Sequence, residues 1–291
     1  MPLTSTPLRY PGGKSQLRPL IRRMLNQGVP VPAAYCEPFC GGAGIAVDLL
    51  IKGDVNSIYL NDADAGIYSF WRAIVEETER FIKETEAVKV DYDTWVSFKN
   101  ARSELYKTYS RGGYSFELGF ITFFLNRTNR SGIIDGGCIG GKSQTSKYKI
   151  DCRFNKKTLI EKIAKIGELS SRVSVSNVDG ALYLRKHLPN LLHSEGLQPD
   201  DALVYLDPPY VKKGESLYLN SMNEESHEEL SGTLLSGVFD NWLLTYDDVP
   251  LIRELYKECD LREIGVRYSA NKKKTAGEVA IFSPRFKDLE I

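Results

Sequence analysis

The stretch of the sequence best suited to chemistry runs from residue 203 to residue 210, Leu-Val-Tyr-Leu-Asp-Pro-Pro-Tyr. An apolar segment of strand length is followed at once by Asp207, two prolines and Tyr210. A buried strand would therefore deliver a carboxylate and an aromatic ring to its carboxyl end. Because α/β proteins bind ligands at that end of their strands, we interpret residues 207–210 as part of an active site.

The chemistry of these four residues suits a planar amino compound. Pro208 and Pro209 fix their own φ angles, favour extended geometry in the residue before each, and supply no backbone N–H. The Asp207 carboxylate and the Pro208 carbonyl can accept hydrogen bonds, and Tyr210 offers a flat face. An exocyclic amino group on a heteroaromatic ring would fit all three groups. The alternative is a tight turn with Asp207 as a solvated loop residue.

Two stretches near the start of the chain could bind a nucleotide-like ligand. Residues 8–14, Leu-Arg-Tyr-Pro-Gly-Gly-Lys, form a turn before a helical pattern, although a flexible turn with a solvated lysine has the same features. Residues 34–50 combine a strand, a glycine-rich turn and a helix, which is the first half of a nucleotide-binding unit. The Gly-x-Gly-x-x-Gly spacing of dinucleotide sites is absent, which disfavours an NAD-type oxidoreductase.

Acidic residues follow two further predicted strands. Residues 57–62 end in Asp62, where an acid can bind ribose hydroxyls, whereas Asp64 is better placed to cap a helix. Residues 173–179 alternate like a strand and end in Asp179. Helical patterns occupy 71–105, 159–169 and 181–192, and residues 116–125 could form a buried helix or a strand.

The composition indicates that any nucleic-acid-binding surface is confined to one part of the chain. The 291 residues allow about two domains, and Lys+Arg and Asp+Glu balance at 38 each. Residues 127–157 nevertheless contain eight Lys or Arg and two Asp, a local net charge of +6. Such cations would neutralise phosphates, and Arg or Asn could contact base edges, although a glycine-rich basic loop can also be merely solvated.

Cysteine usage and hydropathy favour a cytoplasmic protein. The five cysteines are scattered and only Cys36 and Cys40 are close together, which supports neither a zinc site nor a disulfide framework. The sequence has no long apolar run and no charged-then-apolar leader, so we expect no membrane span or signal peptide.

Several motifs resemble those of one enzyme family. Asp-Pro-Pro-Tyr at 207–210 resembles the catalytic motif of amino-group DNA methyltransferases, and Arg-Tyr-Pro-Gly-Gly-Lys at 9–14 resembles the cofactor motif of the adenine-specific members. Glu-Pro-Phe-x-Gly-Gly at 37–42 resembles their cofactor loop. Asn-Arg-x-x-x-Ser-Gly at 126–132 and Cys-Arg-Phe-Asn at 152–155 resemble the two ends of their DNA-contacting hairpin. The motifs occur in the order of the α group, the DNA adenine methyltransferase type, and span nearly the whole chain.

The resemblance implies S-adenosylmethionine as cofactor, double-stranded DNA as substrate and methyl transfer to the exocyclic amino group of a flipped-out adenine, with no metal. The implied catalytic residues are Asp207, Pro208, Pro209 and Tyr210. The expected cofactor-binding residues are Tyr10, Lys14, Glu37, Phe39, Gly41, Gly42, Asp62, Asp179 and Asp207. The expected DNA-binding residues are Arg127, Asn129, Arg130, Lys142, Lys147, Lys149 and Tyr268, the last as a stacking partner in the loop at 267–274.

The predicted fold is α/β, a doubly wound Rossmann-like methyltransferase sheet with an inserted, mainly helical DNA-recognition domain. Residues 1–70 and 156–291 would form the catalytic domain and residues 71–155 the insert. Two alternatives stay open: a cytosine amino methyltransferase, although these commonly carry Ser in place of Asp207, and a non-catalytic DNA-binding protein of the same fold. A cognate restriction endonuclease would be a fitting partner. The recognition sequence and the oligomeric state do not follow from the sequence.

Overall fold

The computed structural model describes residues 5–9, 14–27, 30–110, 112–211, 222–264 and 277–289. The chain divides into two compact units. The first comprises Met1–Gly13, Gly41–Ile51 and Asp64–Asn177, and the second comprises Lys14–Cys40, Lys52–Ala63 and Val178–Ile291. None of the helices in the described ranges has the length and apolar character needed to cross a lipid bilayer.

The second unit contains six strands of a mostly parallel sheet. They are β1 (Ala34–Glu37), β2 (Ser57–Asn61), β4 (Ala202–Leu206), β5 (Trp242–Asp247), β6 (Asp260–Ile264) and β7 (Glu278–Phe282). Their order in the sheet is β2-β1-β4-β5-β7-β6. Strand β1 pairs in parallel with β2 and β4, β4 pairs in parallel with β5, and β7 is antiparallel to both β5 and β6. This arrangement confirms the predicted Rossmann-like α/β class.

Composition explains why these strands lie at the centre of their unit. Every residue of β4 and of β5 is buried, as expected for parallel strands covered on both faces. The core packs apolar strand residues against helical residues that include Leu184, Leu188, Leu230 and Leu234. Strand β7 is also fully buried, although it begins with a glutamate.

Short helices accompany this sheet within the second unit. They are α1 (Arg18–Gln27), α8 (Gly180–Leu182), α9 (Leu188–Ser194), α10 (Glu224–Leu235) and α11 (Pro250–Leu255), and a π-helical turn at Tyr183–His187 joins α8 to α9. Asp179 caps α8, because its side-chain oxygen accepts hydrogen bonds from the backbone N–H groups of Ala181 and Leu182. The predicted helix over 181–192 is thus present as a continuous helical run.

The first unit is mainly helical. Its elements are α2 (Gly44–Lys52, whose last residue falls in the second unit), α3 (Ala65–Glu76), α4 (Thr78–Ala87), α5 (Tyr92–Tyr109), α6 (Phe116–Thr128), α7 (Lys156–Gly167) and β3 (Val173–Ser176). The segment 116–125, for which the sequence allowed helix or strand, is helical and almost entirely buried. Asp64 caps α3 as predicted, accepting from the N–H groups of Gly66 and Ile67.

Aromatic side chains form the centre of the first unit. The ring centroids of Phe70 and Phe123 lie 5.9 Å apart in a stacked arrangement, and Phe81 meets both rings edge-on at 5.7 and 5.3 Å. Such pairs add about 0.5–1.5 kcal/mol each beyond the area they bury. The helices of this unit are therefore held by a phenylalanine cluster. The predicted boundaries of the insert at 71 and 155 stay a prediction; the first unit contains that segment together with flanking residues.

One glycine allows α3 and α6 to approach each other closely. A Cβ atom at Gly119 would lie 2.5 Å from the carbonyl oxygen of Ser69 and 2.7 Å from the backbone nitrogen of Phe70. We expect Gly119→Ala to lower the free energy of unfolding by about 1–3 kcal/mol, the usual cost of overpacking, despite the better helix propensity of alanine. Thermal unfolding would measure this change.

Gly232 in α10 is the matched control, because a Cβ there meets no atom within 4 Å. Gly232→Ala should raise the free energy of unfolding by up to about 1 kcal/mol through helix propensity alone. If Gly119→Ala stabilised the protein as much as Gly232→Ala, α3 and α6 could not approach each other as closely as the structure shows.

Candidate active site

The strand order creates a crevice at a defined place in the second unit. From β1 the chain proceeds to β2 on one side of the sheet, whereas β4 and β5 lie on the other side of β1. Ligands of open α/β sheets bind at this reversal, outside the carboxyl ends of the strands. Glu37 is the last residue of β1, and Asp207 directly follows β4. Both predicted site residues therefore lie at the point where the topology favours binding.

A buried lysine joins the catalytic motif to a distant strand. The Lys14 ammonium lies 3.1 Å from Oδ1 of Asp207 and 2.9 Å from Oε2 of Glu278, and it also donates a hydrogen bond to the hydroxyl of Tyr210. The Lys14 side chain is only 2% exposed and that of Glu278 is 0% exposed. The structure thus brings together two predicted residues of the motif, one predicted cofactor residue and one acid that sequence reasoning missed.

The two oxygens of Asp207 have different surroundings. Oδ1 accepts from Lys14, from the Thr245 hydroxyl at 2.9 Å and from the Tyr210 hydroxyl at 3.4 Å. Oδ2 makes no hydrogen bond within the described part of the chain, and the side chain is 27% exposed. Because an ionised carboxylate accepts at both oxygens, Oδ2 is a fixed acceptor available to a ligand.

Strand β5 supports the same segment twice. Its register places Leu244 beside Leu206, so that Thr245 comes next to Asp207. Farther along β5, Oδ1 of Asp247 accepts a hydrogen bond from the backbone N–H of Val211 at 3.1 Å. Pro208 and Pro209 lack an N–H, and these side chains of β5 supply much of the anchoring of residues 207–211. Sequence reasoning predicted the strand but not this role; the signal was a polar residue inside an apolar strand.

Burial and charge act in opposite directions on the ion pair. Burial lowers the pKa of Lys14, but the carboxylates of Asp207 and Glu278 outweigh this effect and raise it above its ordinary value. Burial raises the pKa of Glu278, and the nearby Lys14 ammonium only partly offsets that rise. Lys14 is consequently a permanent cation at neutral pH.

Tyr210 lies mostly inside the protein. Its ring is 8% exposed, with its centroid 6.3 Å from that of Tyr246 and 5.0 Å from the Lys14 nitrogen. Pro208 is buried and Pro209 is partly exposed. Among residues 207–210, the Asp207 side chain and Pro209 are therefore the partly exposed ones.

A buried asparagine organises the predicted cofactor loop. The Asn61 side-chain amide donates to the carbonyl oxygens of Pro38 and Val178, each at 2.9 Å, and its oxygen accepts from the N–H of Val178 at 3.0 Å. This single side chain fixes the residues after β1 relative to the residues before α8. Neighbouring Asp62 and Phe39 are partly exposed, as a ligand contact requires. Sequence reasoning selected Asp62 and overlooked Asn61.

The remaining predicted cofactor residues have the following environments. Glu37 is buried, and Asp179 uses one oxygen to cap α8. Gly41 and Gly42 belong to the first unit, where the Gly41 carbonyl accepts a hydrogen bond from the Trp71 indole at 2.8 Å. Tyr10, like Tyr268 of the DNA-binding prediction, lies outside the described residues.

Asn129 and Arg127 make internal contacts. The Asn129 side chain accepts from the Trp95 indole at 2.7 Å, donates to the carbonyl oxygens of Ile133 and Ile134 at 2.9 and 2.7 Å, and is fully buried. The Arg127 guanidinium donates to the carbonyl oxygens of Arg153 and Pro7. These bonds use the groups that were predicted to contact bases, and they favour a structural role for Asn129.

Arg127 also belongs to a cluster of like charges in the first unit. Burial, followed by the charges of Arg9 and Arg153, lowers the pKa of Arg127 to about 10. Burial and then Arg127 lower the pKa of Lys162. Cations that depress one another's pKa favour a bound anion. The other predicted cations, Arg130, Lys142, Lys147 and Lys149, are all exposed.

Comparison with known protein families shows to which family the chain belongs. The model of the family described as D12 class N6 adenine-specific DNA methyltransferase matches residues 10–270. The chain belongs to this family. The match includes residues 10–14 and 207–210, the two strongest motifs. No curated protein matched the chain.

Among solved structures, a similar one is the rRNA methyltransferase aviRa from Streptomyces viridochromogenes. The two sequences are 13% identical, and the alignment covers 96% of this chain and 88% of the other with a TM-score of 0.40.

This methyltransferase acts on adenine in DNA and uses S-adenosylmethionine as its methyl donor. The second unit fits such a cofactor. The strand order reverses beside Glu37, and Asp62 follows β2, which is where an acid can accept hydrogen bonds from a ribose.

The internal bonds of Asn129 can be tested separately from DNA recognition. Asn129→Asp would put an oxygen opposite two carbonyl oxygens, and we expect the free energy of unfolding to fall on the order of 1–3 kcal/mol for the lost buried bonds. The exposed Arg130→Ala, next in the chain, should change it by less than about 0.5 kcal/mol. Denaturant unfolding would give both values. An Asn129→Asp protein of full stability with relaxed sequence preference would instead support base contact.

Proposed function

We propose that Asp207, the Pro208 carbonyl and Tyr210 hold the target adenine for methyl transfer to N6. The observation that carries this proposal is the difference between the two oxygens of Asp207. Oδ1 accepts from Lys14, Thr245 and Tyr210, whereas Oδ2 has no hydrogen-bond donor among the described residues. An adenine amino group has two N–H donors. Oδ2 of Asp207 and the Pro208 carbonyl would accept one each.

The reaction needs an extruded base and a directed lone pair. A duplex base cannot reach a pocket at the end of a strand, so the adenine must flip out and stack against the aromatic face of Tyr210. Hydrogen bonds from the amino group to Asp207 and Pro208 increase the electron density at N6 and orient it. S-adenosylmethionine supplies an electrophilic methyl group on a sulfonium sulfur. The bond from N6 to the methyl carbon would form as the bond from that carbon to the sulfonium sulfur breaks, leaving S-adenosylhomocysteine. The Asp207 carboxylate would stabilise the positive charge that develops on N6, and one N6 proton would then pass to water.

The cofactor pocket that we propose contains the residues expected from the sequence. Asp62 would bind the ribose hydroxyls, and Asp179 would accept from the adenine amino group of the cofactor with the oxygen that it does not use for capping. Glu37 and Phe39 would contact the cofactor from the same unit as Asp62. The assignments of Gly41, Gly42 and Tyr10 stay predictions from the sequence. For Lys14 the ion pair with Asp207 supports a place in the acceptor site itself.

DNA binding is proposed for the basic residues of the first unit, as part of a recognition domain at 71–155. The exposed Lys142, Lys147 and Lys149 would contact phosphates, and Arg130 has the exposure that base contact requires. The like-charge surroundings of Arg127 suit a phosphate better than a base edge. Tyr268 would stack beside the target. A cytoplasmic location and a cognate restriction endonuclease remain proposals that rest on the family.

Replacing the acceptor should separate chemistry from cofactor binding. We expect Asp207→Ala to reduce kcat for methyl transfer by on the order of 10²-fold or more, because the oriented acceptor for the amino group is lost. The dissociation constant of S-adenosylmethionine should change much less. Single-turnover transfer and calorimetry would measure the two quantities, and a loss of cofactor affinity in proportion to activity would assign Asp207 to the cofactor instead.

Asp62→Ala is the comparison variant, because it should show the opposite pattern. Its cofactor affinity should fall by roughly 1–3 kcal/mol, the scale of leaving polar partners unpaired. Unchanged affinity would remove Asp62 from the pocket.

The lysines of the basic segment should control the salt dependence of DNA binding. If Lys142, Lys147 and Lys149 contact phosphates, replacing all three with Ala should weaken binding to every sequence. It should also reduce the slope of log K against log salt by about 0.9 per lost contact. Cofactor affinity should not change.

A control variant removes the same charge elsewhere on the surface. It replaces the exposed Lys165, Lys257 and Lys287 with Ala. This protein should keep the parent slope. Equal slopes for all three proteins would mean that residues 142–149 form only a solvated loop.

A further inference from the structure

Glu278 is a buried carboxylate that the proposed reaction does not use. It begins β7, and the other residues of that strand, Val279 to Phe282, are all apolar. The side chain is fully buried, and its Oε2 lies 2.9 Å from the Lys14 ammonium. Lys14 in turn contacts Oδ1 of Asp207. A continuous chain of contacts therefore connects an interior acid to the carboxylate that we assign to the substrate.

Stability alone does not explain this arrangement. Removing charged groups from water costs several kcal/mol per ion, and apolar residues often replace a buried ion pair without loss. A fifth apolar residue in β7, in place of Glu278, would have been the simpler solution for the sheet. The cluster instead holds one cation, Lys14, between the carboxylates of Asp207 and Glu278. With both acids ionised, the three groups together carry a net negative charge.

We propose that Glu278 is a positioning residue for methyl transfer, holding the Lys14 ammonium against Oδ1 of Asp207 so that Oδ2 stays oriented toward the substrate amino group. This inference rests on the role proposed for Asp207. Glu278 itself touches neither the base nor the cofactor in this scheme. It acts through Lys14, and its carboxylate also faces the Tyr210 hydroxyl.

The hydrogen-bond inventory of Lys14 supports the role. An ammonium has three donors. Lys14 donates hydrogen bonds to Asp207 and Tyr210, and its third close neighbour is the Glu278 carboxylate, an ion-pair contact at 2.9 Å. Without the Glu278 carboxylate one donor would lose its charged partner, and the ammonium could turn away from Asp207. Glu278 also compensates the positive charge of Lys14, so that Asp207 keeps its strength as an acceptor for the N6 hydrogens.

The groups that affect the charge of this cluster come from several elements. Lys14 faces Asp207 and Glu278, with the Tyr210 hydroxyl as a further contact. Asp247 is opposite Glu278 in the β5–β7 register and accepts from the N–H of Val211. Burial raises the pKa of the Tyr205 phenol, and the charges of Asp207 and, to a smaller extent, Glu278 raise it further. This phenol therefore stays neutral.

The sign of the pH effect follows from these contacts. Burial by itself lowers the pKa of Lys14, and the two carboxylates raise it. When Glu278 carries no charge, the Asp207 carboxylate is the one remaining carboxylate that opposes the effect of burial on the pKa of Lys14. The pKa of Lys14 then falls, and the loss of activity on the alkaline side should begin at lower pH.

The decisive variant is Glu278→Gln, which keeps the size of the side chain and removes its charge. We expect kcat to fall at least about tenfold, the KM for DNA and the dissociation constant of S-adenosylmethionine to stay within about twofold, and the alkaline limb of the kcat profile to move to lower pH. Rates are expressed per cofactor-binding molecule, so that misfolded protein does not count. Glu278→Asp, which keeps the charge, should leave the alkaline limb near its parent position.

Glu263→Gln is the matched control, because it makes the same chemical change on the adjacent strand β6. Its carboxylate is 80% exposed and contacts only Arg253 among the ion pairs of the described residues. Its kcat and pH profile should equal those of the parent protein.

A double-mutant cycle tests whether Glu278 acts through Lys14. Lys14→Met and the double variant Lys14→Met/Glu278→Gln should have similar kcat values, since Glu278 has nothing to position once the ammonium is gone. Additive losses would overturn the inference, as would a Glu278→Gln protein with parental kcat and pH profile. Neither result would affect the role of Asp207, which the activity and cofactor affinity of Asp207→Ala test separately.

Discussion

The active site depends on one buried ammonium held between two carboxylates. Lys14 contacts Asp207 and Glu278 at 3.1 and 2.9 Å, and its hydrogen bond to Tyr210 adds the aromatic ring of the motif. Each of these groups would be costly to bury alone. Together they make the burial of all of them tolerable, and they fix the orientation of the carboxylate whose second oxygen we propose as the acceptor for the substrate.

The sheet makes this interaction available. Parallel pairing of β1, β4 and β5 brings the carboxyl ends of these strands to one edge, and the antiparallel β7 brings its first residue to the same edge. Asp207 follows β4, Asp247 ends β5 two residues after Thr245, and Glu278 begins β7. Because Pro208 and Pro209 have no backbone N–H, the motif has few backbone donors. The side chains of Thr245 and Asp247 in β5 compensate for this with hydrogen bonds to Asp207 and to the backbone N–H of Val211.

The basic segment of the first unit obeys a different constraint. A fully buried asparagine, Asn129, is hydrogen-bonded on both ends of its amide and holds the turn at 133–134. Arg127 donates to backbone carbonyl oxygens while its neighbours Arg9 and Arg153 lower its pKa. The scaffold of the segment thus consists of polar bonds within the first unit, whereas the lysines that we propose as phosphate contacts are exposed. Residues of the same chemical type therefore have different roles because their burial differs.

The sequence by itself determined the class of the fold and the order of the motifs, and it predicted Asp207 as the residue that accepts from the substrate. These features are local: an apolar run predicts a buried strand, a glycine-rich turn predicts close approach to a ligand, and Asp207 follows directly in the chain. The helical nature of 116–125 and the partners of Asp207 were decided by tertiary structure. Residues 14, 245 and 278 are far apart in the chain, and only strand order and register place them together. Likewise, Asn129 looked like a base-contacting residue because sequence shows the type of a side chain but not its burial, and burial decides which hydrogen bonds it can make.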